Sequence, residues 1–483
     1  MLLYDGGWRV FNGIKPHADF YSPLGPITYL YVALGYFLFG ANVNSLAYLQ
    51  AVSLPIFMVI IWFSLKTRLS PFWLFWAALL VGLCLVAQHP LRLPYWNISY
   101  AMIYNRLGYS FLMFFVLLLF SPQGDASRVR LKINSFQIGA LFSLLFFIKI
   151  SYLIGACPFF LAFILLRKKA GMSWLFISLG FGITTFVLLA YLKFDIRSVI
   201  RDLSVTGAAR THAFNTAQIA VDLILIKYPL LLGLALTLLS SLLYFRSLFD
   251  NLILWGAVVV SSVAIQETNC PIGTVDELPL IPLLFILLSS SPADVPLRNS
   301  EILLTITRKQ STLVWLIVVL SSLNFYILTD AASILYSANR PIVLMTWPRF
   351  SEPSMSDLIM LDNNSHPNFS YSDKINDGLR LLKENHLDNL RSVAWDFTSP
   401  FAFALKASPP IGFPTFWQSN FNISKISHPD ENKIFRGLDV ILMPKLSEDE
   451  DTTTLMTETY KVYLKNHFIP IAESNYWTVL KRR

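Results

Sequence analysis

Long apolar runs separated by short basic loops recur from Leu46 to Asp330, and no other feature constrains this chain so strongly. About 20 apolar residues match the hydrocarbon thickness of a bilayer, where a helix satisfies its own backbone hydrogen bonds. The pattern predicts crossings at 46–65, 70–88, 107–121, 136–150, 152–166, 173–192, 219–245, 252–266, 278–291 and 312–330. The run 136–166 is divided because Lys149 and Ser151 near its middle mark a turn at the membrane surface. Composition agrees: 54% of the 483 residues are hydrophobic and 14% charged, against about 25% charged in a soluble domain. The net charge of +8 does not point to nucleic acid, because the basic residues fall largely in short loops, where they set topology. Cys84, Cys157 and Cys270 are far apart and read as small buried hydrophobes, with neither metal nor disulfide-framework spacing.

The stretch "PITYLYVALGYFLFGA" (26–41) decides the topology. If it crosses, the basic loops at Arg128–Lys132, Arg167–Lys169 and Arg308–Lys309 fall outside; if it lies along the outer face, all of them fall inside. Its short length, Gly35 and its tyrosines also suit an interfacial segment. The expectation is a mostly α, polytopic membrane helical bundle with ten crossings and both ends outside. Residues 1–45 form the first exterior loop with interfacial helices, 46–330 the transmembrane domain, and 331–483 an exterior α/β domain. Strands are expected at 392–397, 438–444 and 476–480 and a helix at 373–386, while the tract "SEDEDTTT" (447–454) reads as a solvated loop. An exterior start implies a further membrane helix upstream of Met1, running from inside to outside.

The opening carries the most specific pattern. "YDGGW" (4–8), "FNG" (11–13), "HADFYSPLGP" (17–26) and "FLFG" (37–40) follow one another ahead of the first crossing. This order resembles the first exterior loop of the GT-C superfamily of membrane glycosyltransferases, in the branch of protein mannosyltransferases and the aminoarabinose transferase. The resemblance implies transfer of a sugar from a polyprenyl-phosphate donor to a hydroxyl of a cell-envelope acceptor, on the outer face of a bacterial inner membrane. It also implies Asp5 as the general base, with inversion at the anomeric carbon. Two departures stand out. Members often have Asp–Glu where this chain has Asp5–Gly6, and many carry an acid in the second exterior loop, whereas 88–106 contains none. A divalent metal is therefore not supported by the sequence, and Asp19 is the only other acid in the opening motif.

Such a reaction needs a base for the acceptor hydroxyl and positive charge for the departing phosphate. A carboxyl among aromatic and apolar groups has its pKa raised by desolvation, which suits Asp5 as a base. Asp19 would orient the acceptor. Each acid also has a local reading: Asp5 as the N-cap of a helix over "GGWRVFNG", Asp19 as a turn residue before Pro23. Cationic candidates are Lys149, inside an apolar run but also placed to snorkel, and Arg106, flanked by Tyr104 and Asn105, which could equally anchor the interface. Arg197, Arg201, Arg210 and His212 crowd 195–214; Arg197 and Arg201 share a helical face that would grip a phosphate or rest on anionic headgroups. Glu267 would touch a sugar or solvate its loop.

No phosphate-cradling loop, dinucleotide fingerprint or zinc spacing is present. Asn97, Asn363, Asn368 and Asn422 match the glycosylation triplet, a pattern short enough to arise by chance. Two other functions compete with the enzyme: a flippase for a lipid-linked saccharide, and a non-catalytic polyprenyl-lipid-binding relative. Transporters usually show two related halves with interrupted helices, and the chain shows no such symmetry.

Overall fold

The computed structural model describes residues 1–89, 95–96, 103–121, 127–166, 173–210, 248–268, 327–336, 338, 350–356 and 370–483. The chain divides into two compact units. One comprises Met1–Val52, Leu188–Phe214 and Arg340–Arg483; the other comprises Ser53–Val187 and Asn215–Asn339.

The second unit is built from apolar helices. They include most of α3 (Asn44–Leu65), α4 (Pro71–Val86), α5 (Ile103–Phe120), α6 (Arg128–Ile148), α7 (Ile150–Leu166), most of α8 (Trp174–Tyr191) and the helix Leu248–Thr268. Among the described residues four helices, α3, α5, α6 and α8, are long and apolar enough to cross a membrane. With the composition, they make this an integral membrane protein. Burial sorts them: 89% of the apolar window of α5 is buried against 17% of that of α8, so α5 is enclosed by its neighbours and most of α8 is not. The expected crossings 219–245 and 278–291 lie outside the described residues, as does most of 312–330, and a short apolar helix covers Ile327–Tyr336.

The predicted break in 136–166 is present. Lys149 separates α6 from α7 with extended backbone (φ −168°, ψ 133°). α6 and α8 approach so closely that a Cβ on Gly139 would lie 1.9 Å from the Ile177 carbonyl oxygen, and one on Gly180 2.0 Å from that of Phe136. Small residues at a helix crossing allow such backbone contact. Ser143 and Thr185 hydrogen-bond across the same seam at 2.9 Å.

The first unit joins the beginning of the chain to its end. α1 (Leu2–Phe11) packs on α2 (Pro26–Phe39). The glycines of "YDGGW" permit the approach: a Cβ on Gly6 would meet the Tyr29 ring at 2.2 Å, and one on Gly7 would meet Val32 at 2.5 Å. α2 has 14 residues, about 21 Å of helix against about 30 Å of hydrocarbon, too short to cross alone. Gly40 ends it with φ 84°. Among the described residues four strands follow late in the chain: β1 (Ser392–Ala394), β2 (Val440–Pro444), β3 (Phe468–Glu473) and β4 (Trp477–Arg482), in the order β1-β2-β4-β3. β1 and β2 are parallel, with Val393 opposite Ile441; the remaining pairs are antiparallel. Trp395, Trp417, Phe435, Ile441 and Tyr460 are among the core.

The structure corrects one expectation, adds one strand and places one asparagine. Residues 447–454 are not a free loop: Asp449 caps the helix Glu450–His467 by accepting from Thr452 N–H, and Ser447 bonds Asp396. β3 was not expected, because its side chains are mostly exposed and lack alternation. Asn422 is fully buried, its amide accepting from Gln418 N–H and donating to Phe416 O, so it is no glycosylation acceptor. Asn97, Asn363 and Asn368 lie outside the described residues.

Candidate active site

Asp5 lies within α1 rather than at its start, because the helix begins at Leu2; the N-cap reading is thereby corrected. The carboxylate is 1% exposed. Its Oδ2 is met by Arg9, 2.7 Å from Nη2 and 2.9 Å from Nε, one helical turn away. Its Oδ1 is buried and has no hydrogen-bond partner among the described residues. Burial pushes the Asp5 carboxyl up from the ordinary carboxylate range, and the Arg9 guanidinium opposes that rise. Arg9 is itself fully buried, donating to the carbonyls of Phe413 and Pro414 and lying 5.1 Å from the Phe20 ring centroid. From α2, burial raises the Tyr29 and Tyr36 hydroxyls, which stay neutral donors around the acid.

Asp19 is half-buried and closes a turn: its Oδ2 accepts from Lys15 N–H at 2.8 Å, and its own N–H donates to Lys15 O. The turn reading therefore describes its carboxylate in this structure.

A second buried acid, Asp202, was missed from the sequence. It lies on α9 (Ile196–Arg210) at 1% exposure and gathers two distant segments. Its Oδ2 is 3.2 Å from His17 Nδ1 and accepts from Ser22 N–H at 3.2 Å, while its Oδ1 accepts from Lys433 Nζ at 2.8 Å. Burial lowers the Lys433 ammonium and Asp202 opposes it. Thr206, one turn on, shares a hydrogen bond with Tyr21. The inner face of α9 is thus tied down, and Arg197 and Arg201 lie exposed on the other, beside Ile196 and Ile200. Arg210 stacks its guanidinium 3.7 Å over the Phe421 ring. His212 lies outside the described residues, and the side chain of Glu267, on the helix Leu248–Thr268, is likewise not described.

In the second unit Lys149 is 3% exposed, with Nζ 5.3 Å from the Tyr104 ring centroid. It is enclosed rather than snorkelling to a surface, and the structure brings these two candidates together. Asn105 accepts from Tyr152 OH at 2.9 Å through Oδ1. Arg106 is buried, not an interface anchor: it pairs with Asp330 Oδ1 at 3.0 Å and donates to the carbonyls of His89 and Cys84. His89 Nε2 reaches the same Asp330 oxygen at 2.8 Å. Asp330 gave no local signal, for its partners lie 224 and 241 residues away. Among the described residues no group of three or more metal-ligating side chains is gathered.

No protein-family model matches the chain, and no curated protein matches it. Among solved structures, ArnT from Cupriavidus metallidurans bound to undecaprenyl phosphate is similar over 99% of this chain and 92% of its own, with 13% identity and a TM-score of 0.47. The apo state of the same protein has the same coverage and identity, with a TM-score of 0.44. At 13% identity the chemistry assigned to this chain rests on its own residues.

Proposed function

We propose that this integral membrane protein is a glycosyltransferase that moves a sugar from a polyprenyl-phosphate donor to a hydroxyl of a cell-envelope acceptor on the outer face. The observation that carries the reading is Asp5: a buried carboxylate with one oxygen fixed by Arg9 and the other unpartnered among the described residues. It lies within the motif that resembles the GT-C first loop. Oδ1 takes the proton of the acceptor hydroxyl as that oxygen attacks the anomeric carbon; the bond from that carbon to the phosphate oxygen breaks and the lipid phosphate leaves. Direct displacement inverts the anomeric centre. Burial, which raises the Asp5 carboxyl, strengthens it as a base.

In the unit that carries Asp5, the exposed pair Arg197 and Arg201 supplies positive charge for the departing phosphate; in the other unit Lys149, a buried lysine beside the Tyr104 ring, is the candidate to bind the donor phosphate. Arg106 acts more remotely, since Asp330 already pairs it, and Arg210, over the Phe421 ring, adds a further positive group. Asp19 positions the loop before Pro23. In this reading residues 1–45 and 331–483 lie on the outer side.

The test uses the full chain in lipid nanodiscs with a panel of polyprenyl-phosphate sugars and envelope acceptors, glycosylated product being detected by mass spectrometry. Transfer from at least one donor is expected. Lipid binding or lipid movement with no transfer to any acceptor would overturn the proposal.

A further inference from the structure

Four consecutive residues near the end of the chain each make a polar contact with the segment that carries Asp5. Gly412 N–H donates to Asp19 O at 2.7 Å, and Gly412 O accepts from Tyr21 N–H at 3.1 Å. Phe413 O accepts from Arg9 Nη1, and Pro414 O from Arg9 Nη2 at 3.5 Å. Thr415 Oγ1 and Tyr29 OH share a hydrogen bond at 3.0 Å, and Tyr29 OH continues to Ser22 Oγ at 3.1 Å. Gly412 has φ 89°, and a Cβ there would lie 1.8 Å from the Lys433 carbonyl oxygen, so the run enters this path through a position that only glycine fits.

The consequence falls on Arg9. Its fork presents five N–H donors in fixed directions. Nε and Nη2 meet Asp5 Oδ2, while Nη1 and Nη2 turn to the two carbonyls. With both carbonyls in place the fork is held so that it meets one carboxylate oxygen. Oδ1 stays without a partner among the described residues.

We propose that Gly412–Thr415 is a positioning segment for the candidate base: through Arg9 it fixes which oxygen of Asp5 is paired and which is left without a donor, to take the acceptor's proton. The inference rests on the reading of Asp5 as that base. It makes the C-terminal α/β region part of the reaction apparatus rather than a separate module.

The groups facing Asp5 are Arg9 and the Met1 amino group on α1, and Tyr29 and Tyr36 on α2. Of these, Arg9 alone is anchored by Gly412–Thr415 through its own charge, and it is the group that opposes the effect of burial. A loosened Arg9 therefore leaves Asp5 protonated to higher pH. Dicyclohexylcarbodiimide reacts with protonated buried carboxyls, and the Asp5 adduct is read by mass spectrometry across a pH series on the full chain in nanodiscs. In Thr415→Val, and independently in Pro414→Gly, the labelling midpoint moves up by roughly half a pH unit or more; Thr415→Ser, which keeps the hydroxyl, stays with the wild type. Wild-type midpoints in both Thr415→Val and Pro414→Gly would overturn the proposal. Labelling needs no turnover, so a chain that transfers no sugar but shows the shift would refute the glycosyltransferase reading and leave the positioning intact.

Discussion

Arg9 meets Asp5 through Oδ2 alone, 2.7 Å from Nη2 and 2.9 Å from Nε, one turn along α1. One carboxylate oxygen is thereby occupied, and the other is buried without a partner among the described residues. A pair built only for stability would satisfy both oxygens, because a buried acceptor left without a donor costs about 1–3 kcal/mol.

Arg9→Met is expected to lower stability by about 3–5 kcal/mol, because it leaves a buried carboxylate unpaired. The pH dependence has a definite sign. The folded Asp5 carboxyl is raised above its ordinary value of 3.8, so the folded state holds the proton over a range where the unfolded state has lost it. Its contribution to stability falls as pH rises from 3.8 to the raised folded value, and is level above that. Arg9→Met extends this fall to higher pH and Asp5→Asn removes it. Melting temperatures across pH in a fixed detergent check both.

Asp202→Ala removes the acceptor shared by His17, Ser22 N–H and Lys433. A loss of about 3–5 kcal/mol is expected, as for breaking a buried ion pair from one side. Faster limited proteolysis around residues 17–22 and 195–210 would report it, and an unchanged digestion pattern would contradict it.

Gly139→Leu or Gly180→Leu forces α6 and α8 apart, because even a Cβ would lie 1.9 or 2.0 Å from a backbone oxygen. Overpacking of this kind costs about 1–3 kcal/mol or more. Both variants should melt earlier in detergent, whereas Gly182→Ala, where nothing lies within 4 Å of the added Cβ, should match the wild type.

Much of this architecture is legible from local pattern. Apolar runs mark α3 to α8, Lys149 marks the break between α6 and α7, and β1, β2 and β4 fall within or beside the expected strands. What escaped was set by distance or by exposure. Asp202 and Asp330 have no signal of their own, for the groups that make them central are 180 to 241 residues away. β3 carries a proline at its irregularity and lies largely exposed, so it shows no alternation. The acidic tract at 447–454 reads as solvated because the same composition that favours solvent also favours the first turn of a helix. Asp5 was legible as a candidate, but its pairing through one oxygen was not, since Arg9 takes that geometry from Phe413 and Pro414.

Lys149→Met should raise KM for the lipid donor about tenfold or more while the fold is kept, as expected when a cation that binds the phosphate in ground and transition states alike is lost. Initial rates over a donor series, with melting as control, test this. An unchanged KM would remove Lys149 from the phosphate site.

Single-turnover transfer by Asp5→Asn decides whether Asp5 is the base. Wild type and variant are loaded with the same polyprenyl-phosphate sugar, donor affinity is measured, and product is followed after acceptor is added. The predicted result is donor binding close to wild type with transfer slowed about 10²–10⁴-fold, the contribution of a positioned general base. Transfer by Asp5→Asn at the wild-type rate would contradict the account.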